Sequence, residues 1–178
     1  MDGSDIALLG LRLWLGVVML AHGINHGRNL DGTASWFATK GFRHARVNAA
    51  GSAFGEIAIG IGLILGLLTP IAAAALIATM TVAFGAIHRF AGFFVFARPD
   101  EGYEYVATLA VTAAALAILG PGAVSVDSAI GLAPTLDGWP GAALAAGGLL
   151  AGLAQLAFFW RRPVAQNMND QPTKESVQ

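Results

Sequence analysis

The sequence predicts an all-α integral membrane protein, a helical bundle of five spans with its amino terminus outside and its carboxyl terminus in the cytoplasm. Three observations carry that expectation. Of the 178 residues, 56% are hydrophobic and only 12% are charged, about half the charged share of an ordinary soluble domain. The apolar residues gather into runs close to the roughly 20 that a helix needs to cross a bilayer. These runs also lack two-residue alternation, and since open sheet edges are not tolerated in lipid, helices are what remain.

The first apolar segment extends from about Ile6 to Ile24. Asp2 and Asp5 precede it, whereas a secretory signal begins with basic residues and ends in a small-residue cleavage site, so this span is expected to be retained. The second segment runs from about Ala49 to Leu68 and the third from about Ile71 to Phe90, joined by an uncharged turn at Thr69-Pro70. The fourth, about Tyr103 to Leu119, is short and calls for a thinned or tilted arrangement. The fifth, about Trp139 to Trp160, carries a tryptophan at each end, where interfacial aromatics belong.

Charge in the connecting loops sets the expected orientation. Arg28, Lys40, Arg43 and Arg46 lie between the first two segments, Arg89 and Arg98 between the third and fourth, and Arg161 and Arg162 follow the fifth. The loop after the fourth has only Asp127 and Asp137. Placing the basic loops in the cytoplasm gives a consistent alternation along the whole chain. Trp36, Phe37 and Phe42, and then Phe90, Phe93, Phe94 and Phe96, read as short elements anchored at that interface. A lipid- or quinone-facing portal is the functional alternative for both. Residues 164–178 are polar, contain Pro172, and are expected to form a disordered cytoplasmic tail.

Several function classes drop out on composition. A formal net charge of -1 gives no basic surface for nucleic acid. With no cysteine there is no thiolate chemistry, disulfide or Cys-ligated metal. No Gly-rich phosphate loop follows a strand. The glycines at 55, 60, 62 and 66, and at 141, 147, 148 and 152, read as notches for close helix packing.

Ionisable residues inside spans are costly and are therefore functional candidates. His22 and His26 are four apart and share a face at the cytoplasmic end of the first helix. Glu56 lies about 12 Å into the second helix at about 1.5 Å per residue. His88 ends the third helix, and Tyr103 and Glu104 begin the fourth. All of these fall in one half of the membrane. In the expected assignment Glu56, His88 and Glu104 handle protons or hydrogen-bond a ligand, and His22, His26 and Tyr103 contact a cofactor. Three interpretations stay open: a satisfied polar network that fixes helix register, a quinone headgroup site, and a metal or haem site. In the opposite half Arg12 stands alone, and Asp127 is the expected counter-charge in a structural ion pair.

The stretches LLGLRLWLGVVMLAHGINH, FGEIAIGIGLILGLLTP and GYEYVATLAVTAAALAILGPGAVSVDSAIG resemble the DoxX family of small bacterial membrane proteins. The shared features are Arg12, Ala21-His22-Gly23, Glu56, Thr69-Pro70, His88, Tyr103-Glu104 and Asp127, spread over about residues 6–132. The resemblance implies a four-helix transmembrane bundle over residues 1–132 in the bacterial cytoplasmic membrane. The segment 133–163 would then be an additional helix, available for docking to a larger complex. It further implies an accessory or redox-linked, quinone-associated subunit of a bacterial membrane oxidoreductase or respiratory system. Quinone is the candidate cofactor, ahead of metal or haem. A non-catalytic assembly or scaffold subunit is the alternative. A small-solute carrier is disfavoured by the lack of inverted repeats.

Overall fold

The computed structural model describes residues 2–96 and 101–163, and the expected tail at 164–178 lies outside them. The first helix, α1 (Gly3–Arg28), starts before the apolar run because Asp2 caps it. The Asp2 carboxylate accepts from the amides of Ser4 and Asp5 at 2.9 and 3.0 Å, and Asp5 Oδ2 accepts from the Asp2 amide at 2.9 Å. That reciprocal box occupies donors a helix start otherwise leaves orphaned. A short helix follows, α2 (Leu30–Thr39), capped by Asn29, and then α3 (Ala45–Leu65) and α4 (Thr69–Ala86). A 3₁₀ turn at His88–Phe90 precedes α5 (Glu104–Leu119). Single-turn helices α6 (Val126–Ala129) and α7 (Ala133–Leu136) lead into α8 (Trp139–Phe159).

Among the described residues, α1, α3, α4 and α8 are long and apolar enough to cross a membrane, so the chain is a multi-pass membrane protein with four candidate spans. The fourth apolar segment of the sequence, α5, has 16 residues and falls below that length. No strand is present among the described residues; a single bridge pairs Phe42 with Trp160.

Glycine sets how closely the helices meet. A Cβ on Gly23 of α1 would lie 2.7 Å from the Ala53 carbonyl of α3, and one on Gly60 of α3 would lie 2.8 Å from the Gly16 carbonyl of α1. Such contacts are closer than any side chain tolerates, so the two backbones touch only because these positions are bare. The same device seats α8. Gly148 rests on the Ala74 carbonyl of α4, Gly152 on Ala78, and Gly141 on the Ala117 carbonyl of α5. The last helix thus packs one face against α4 and α5, while Leu149, Leu150, Leu153 and Phe158 of its other face stay exposed. Leu15, Met19, Leu63, Leu76 and Leu116, all nearly or fully inaccessible, form the core between these helices.

The end of the bundle opposite the histidines is closed by a clamp on the α3–α4 turn. The helix ends at Gly66 with φ of 66°, and Leu68 follows with φ of 50°. Leu68 is a branched residue in the left-handed region, a strained conformation that needs outside support. Asp127 supplies it, accepting from the amides of Leu68 and Thr69 at 2.7 and 2.8 Å while its own amide donates to the Gly66 carbonyl at 2.9 Å. Arg12 reaches the same turn from α1, donating through Nη1 to the Leu63 carbonyl at 3.3 Å and through Nη2 to the Val124 carbonyl. Both side chains are fully buried. The expected Arg12–Asp127 ion pair is therefore corrected. The two charges converge on one turn, but the hydrogen bonds of each go to peptide groups, Arg12 Nε keeps no hydrogen-bond partner, and no direct pair forms between them. The reason lies in the turn, whose bent backbone offers free carbonyls to a cation and free amides to an anion.

Candidate site in a membrane-embedded cavity

Beneath the loops at the other end of the bundle lies a cavity of ≈ 500 Å³, within the usual range of about 300–1,000 Å³ for a small-molecule site. Every long helix and α2 contribute to it. From α1 come Met19, His22 and His26; from α3, Ser52 and Glu56; from α8, Gln155. Its apolar wall includes Phe37, Met80 and Leu109.

At its centre stands a carboxylate with two partners. Ser52 Oγ donates to Glu56 Oε1 at 2.6 Å, and His26 Nδ1 lies 3.2 Å from Glu56 Oε2 and 3.1 Å from Ser52 Oγ. Glu56 is 5% exposed. The helix periodicity explains the triad: Ser52 and Glu56 are one turn apart on α3, so both face α1 where His26 sits. A buried carboxylate without such partners would carry a large desolvation cost.

The histidines extend the polar surface toward the cavity rim. The His22 and His26 rings stand edge to face at 6.4 Å, and the Tyr105 hydroxyl is 3.4 Å from His22 Nε2. His88 Nδ1 donates to the Glu101 carbonyl at 2.6 Å, which fixes its ring at the same rim. On the far side Gln155 Nε2 donates to Asn48 Oδ1 at 3.1 Å, while Asn48 Nδ2 donates to the Arg43 carbonyl at 2.9 Å. That chain ties α8 to the start of α3.

Four of the residues expected from the sequence, His22, His26, Glu56 and His88, line this one cavity. Tyr103 and Glu104 do not. Tyr103 packs its ring against Phe84 and Phe93 at 5.4 Å each, and Glu104 Oε2 accepts from the Val95 amide at 3.3 Å. The helix begins at Glu104, so the inward-facing position is Tyr105, one residue later. Sequence reasoning also missed Ser52 and Gln155. The signal for Ser52 is present, since a hydroxyl four residues before a buried glutamate falls on the same face. Gln155 is the single amide within the otherwise apolar α8, and that contrast marks it.

The aromatic loop residues divide. Phe37 and Phe42 turn inward, 7% and 6% exposed, and pack with Ala49, Val82 and Ala86. The expectation that they anchor at the interface is corrected, because α2 folds back over the cavity and presents this face to α3 and α4. Trp36, Phe90, Phe93, Phe94 and Phe96 remain exposed.

Among the described residues, no three His, Cys, Asp or Glu side chains converge on a point where a metal ion could sit. The DoxX family model matches residues 7–89, the segment from α1 to the 3₁₀ turn that contains His22, His26, Ser52, Glu56 and His88. The match is shorter than the resemblance expected over 6–132. No curated protein and no solved structure matches the chain.

Proposed function

From the premise that this chain is a DoxX family membrane protein, we propose that it binds a ring-bearing, lipid-soluble molecule of the quinone class in the His26–Glu56 cavity. In this reading the chain serves as an accessory, redox-linked subunit of a bacterial membrane oxidoreductase system. It would lie in the cytoplasmic membrane with α5 as a fifth, short span and the histidine end facing the cytoplasm, as the basic loops favour. The observation that carries the reading is a cavity of ≈ 500 Å³ whose wall is mainly apolar and aromatic and whose buried carboxylate, Glu56, lies beside a histidine.

The residues fit such a ligand. A quinone ring needs apolar walls and a donor at each carbonyl. Phe37, Met80 and Leu109 provide the former, and His22 and Tyr105 carry the N–H and O–H groups for the latter. When bound, a quinone supplies two-electron, two-proton redox chemistry. The protein's part is to hold the ring, exclude water through the packed aromatics, and keep an exchangeable proton at the His26–Glu56 pair.

The test is a titration of the purified protein in nanodiscs with a one-isoprene ubiquinone, read by tryptophan quenching and by quinone extracted per protein. Saturable one-to-one binding is expected, and His22→Leu should weaken it by about 1 kcal/mol or more through loss of a donor. Linear, unsaturable uptake equal to that of empty nanodiscs would overturn the reading.

One observation favours a second reading, a non-catalytic assembly subunit. Glu56 is already held inside the protein, by a hydrogen bond from Ser52 to Oε1 and by the His26 ring 3.2 Å from Oε2. Contacts of this kind occur in structural networks that bind no ligand. In that case Glu56→Gln lowers stability and leaves the partner enzyme's turnover, per assembled complex, unchanged.

A further inference from the structure

We propose that His26 is a proton-relay residue connecting a water-facing polar recess to Glu56 in the cavity. The proposal rests on the ligand-binding reading of the cavity and adds the route by which its carboxyl exchanges protons. The observation behind it is a second hollow of ≈ 390 Å³ between the end of α1 and the start of α2, lined by Asn25, Asn29, Gly32, Thr33, Trp36 and again His26. His26 and Trp36 are the residues common to both hollows, and of the two only the imidazole can carry a proton.

The hollows differ in chemistry. The larger one is walled largely by apolar and aromatic groups. The smaller is walled by amides and a hydroxyl at the end of a helix, a setting that admits water.

Hydrogen bonding defines what the ring can do. Ser52 has one hydroxyl proton and donates it to Glu56 Oε1 at 2.6 Å. The contact between His26 Nδ1 and Ser52 Oγ at 3.1 Å therefore has Nδ1 as donor, and Glu56 Oε2, which accepts no hydrogen bond of its own, lies 3.2 Å from the same nitrogen. A neutral imidazole protonated at Nδ1 has an acceptor at Nε2. Nε2 makes no hydrogen bond to any described residue.

A proton arriving from the recess binds Nε2 and gives an imidazolium. The Nδ1 proton then passes to Glu56 Oε2, leaving a neutral carboxylic acid and an imidazole protonated at Nε2. One proton has entered and one has moved on; the reverse sequence returns it to the recess.

The surrounding titratable groups leave this path unobstructed. On α1, His22 lies 6.4 Å from His26 between ring centres. On α3 the facing groups are Ser52 and Glu56. From α5, Tyr105 contacts His22, and His88 and Glu101 stand at the rim of the same cavity. From α2 the facing group is the Phe37 ring at 6.4 Å, while Asp31 of that helix is paired with Arg46 at 2.7 Å.

The experiment is infrared difference spectroscopy of the full chain in nanodiscs without added quinone, with the Glu56 band assigned by Glu56→Gln. After a jump from about pH 8 to about pH 3, past the ordinary carboxyl range, the carboxylate band should convert to the acid band. His26→Gln should slow that conversion at least about tenfold. Asn25→Leu, which plugs the recess but leaves the Ser52–His26–Glu56 contacts intact, should slow it comparably without moving its end point. Conversion at the native rate in both variants overturns the relay, as does a Glu56 band that never converts. Slowing in both variants supports the relay whether or not a quinone binds, so the binding titration judges the ligand reading separately.

Discussion

At the scale of single residues, Arg12 and Asp127 show how charge is kept inside an apolar bundle. Each is completely enclosed, and the hydrogen bonds each makes go to peptide groups of the α3–α4 turn and its neighbours. Removing one partner from such a buried arrangement costs about 3–5 kcal/mol. Arg12→Ala should therefore lower the unfolding temperature in detergent sharply. Arg12→Lys should not restore it, because a single ammonium cannot span the two carbonyls that the guanidinium fork reaches. Asp137, in the link between α7 and α8, behaves differently. Its Oδ1 is buried without a hydrogen-bond partner. Burial, and then the negative charge of Asp127, raise its carboxyl above the ordinary value of 3.8. The folded state consequently binds its proton more tightly than the unfolded chain, and stability falls as pH rises from that ordinary value through the raised one. Asp137→Asn should therefore be more heat-stable than the native protein at neutral pH, with the advantage vanishing on acidification. Thermal melts across pH check the sign.

The elements divide according to how locally their determinants are written. The four longest helices follow from apolar runs that need no partner to be recognised, and their observed centres match the expected segments. Boundaries differ where a cap or turn intervenes. Asp2 starts α1 three residues before Ile6, and the left-handed Leu68, held by Asp127 from 59 residues away, begins α4 before Ile71. The fate of α2 was not legible, because Phe37 and Phe42 read equally well as lipid anchors or as a lid. Their direction is decided by contacts with Val82 and Ala86, far along the chain. For the site, His22, His26, Glu56 and His88 stood out because charge is scarce, whereas choosing Tyr105 over Tyr103 required the helix phase. The packing of α8 yields a paired prediction. Gly148→Leu would drive a side chain into the Ala74 carbonyl, while a Cβ at Gly147 meets nothing within 4 Å. The first change should destabilise by about 1–3 kcal/mol as overpacking does. Gly147→Leu should unfold like the native protein in the same melt.

For the whole molecule, the dimension that matters is the thickness of the surrounding bilayer. At about 1.5 Å per residue, the 16 residues of α5 reach about 24 Å, short of the roughly 30 Å of a hydrocarbon core. Its neighbours α1 and α8 have 26 and 21 residues. With α5 as the proposed fifth span, the bundle is uneven, and a membrane should thin beside α5 or leave polar termini in lipid. Reconstitution into nanodiscs of phosphatidylcholines with progressively longer chains should show the highest unfolding temperature in the shorter lipids. A flat response would mean that the loops flanking α5 complete its passage.

The carboxyl-terminal end of α8 is sewn to the α2–α3 link: Arg43 donates its amide to the Phe159 carbonyl at 2.7 Å, Arg161 to Gly41 at 3.0 Å, and the Trp160 indole to the Lys40 carbonyl at 2.8 Å. This seam has a temporal meaning. On the ribosome, residues 40–43 and Asn48 are made long before residues 155–161 exist, so the cavity is born without its far wall and with Asn48 Oδ1 lacking its Gln155 donor. Each newly made chain passes through an interval in which its polar interior is open. Only completion of the last helix ends that interval, making the finished pocket a mark that translation has run through α8.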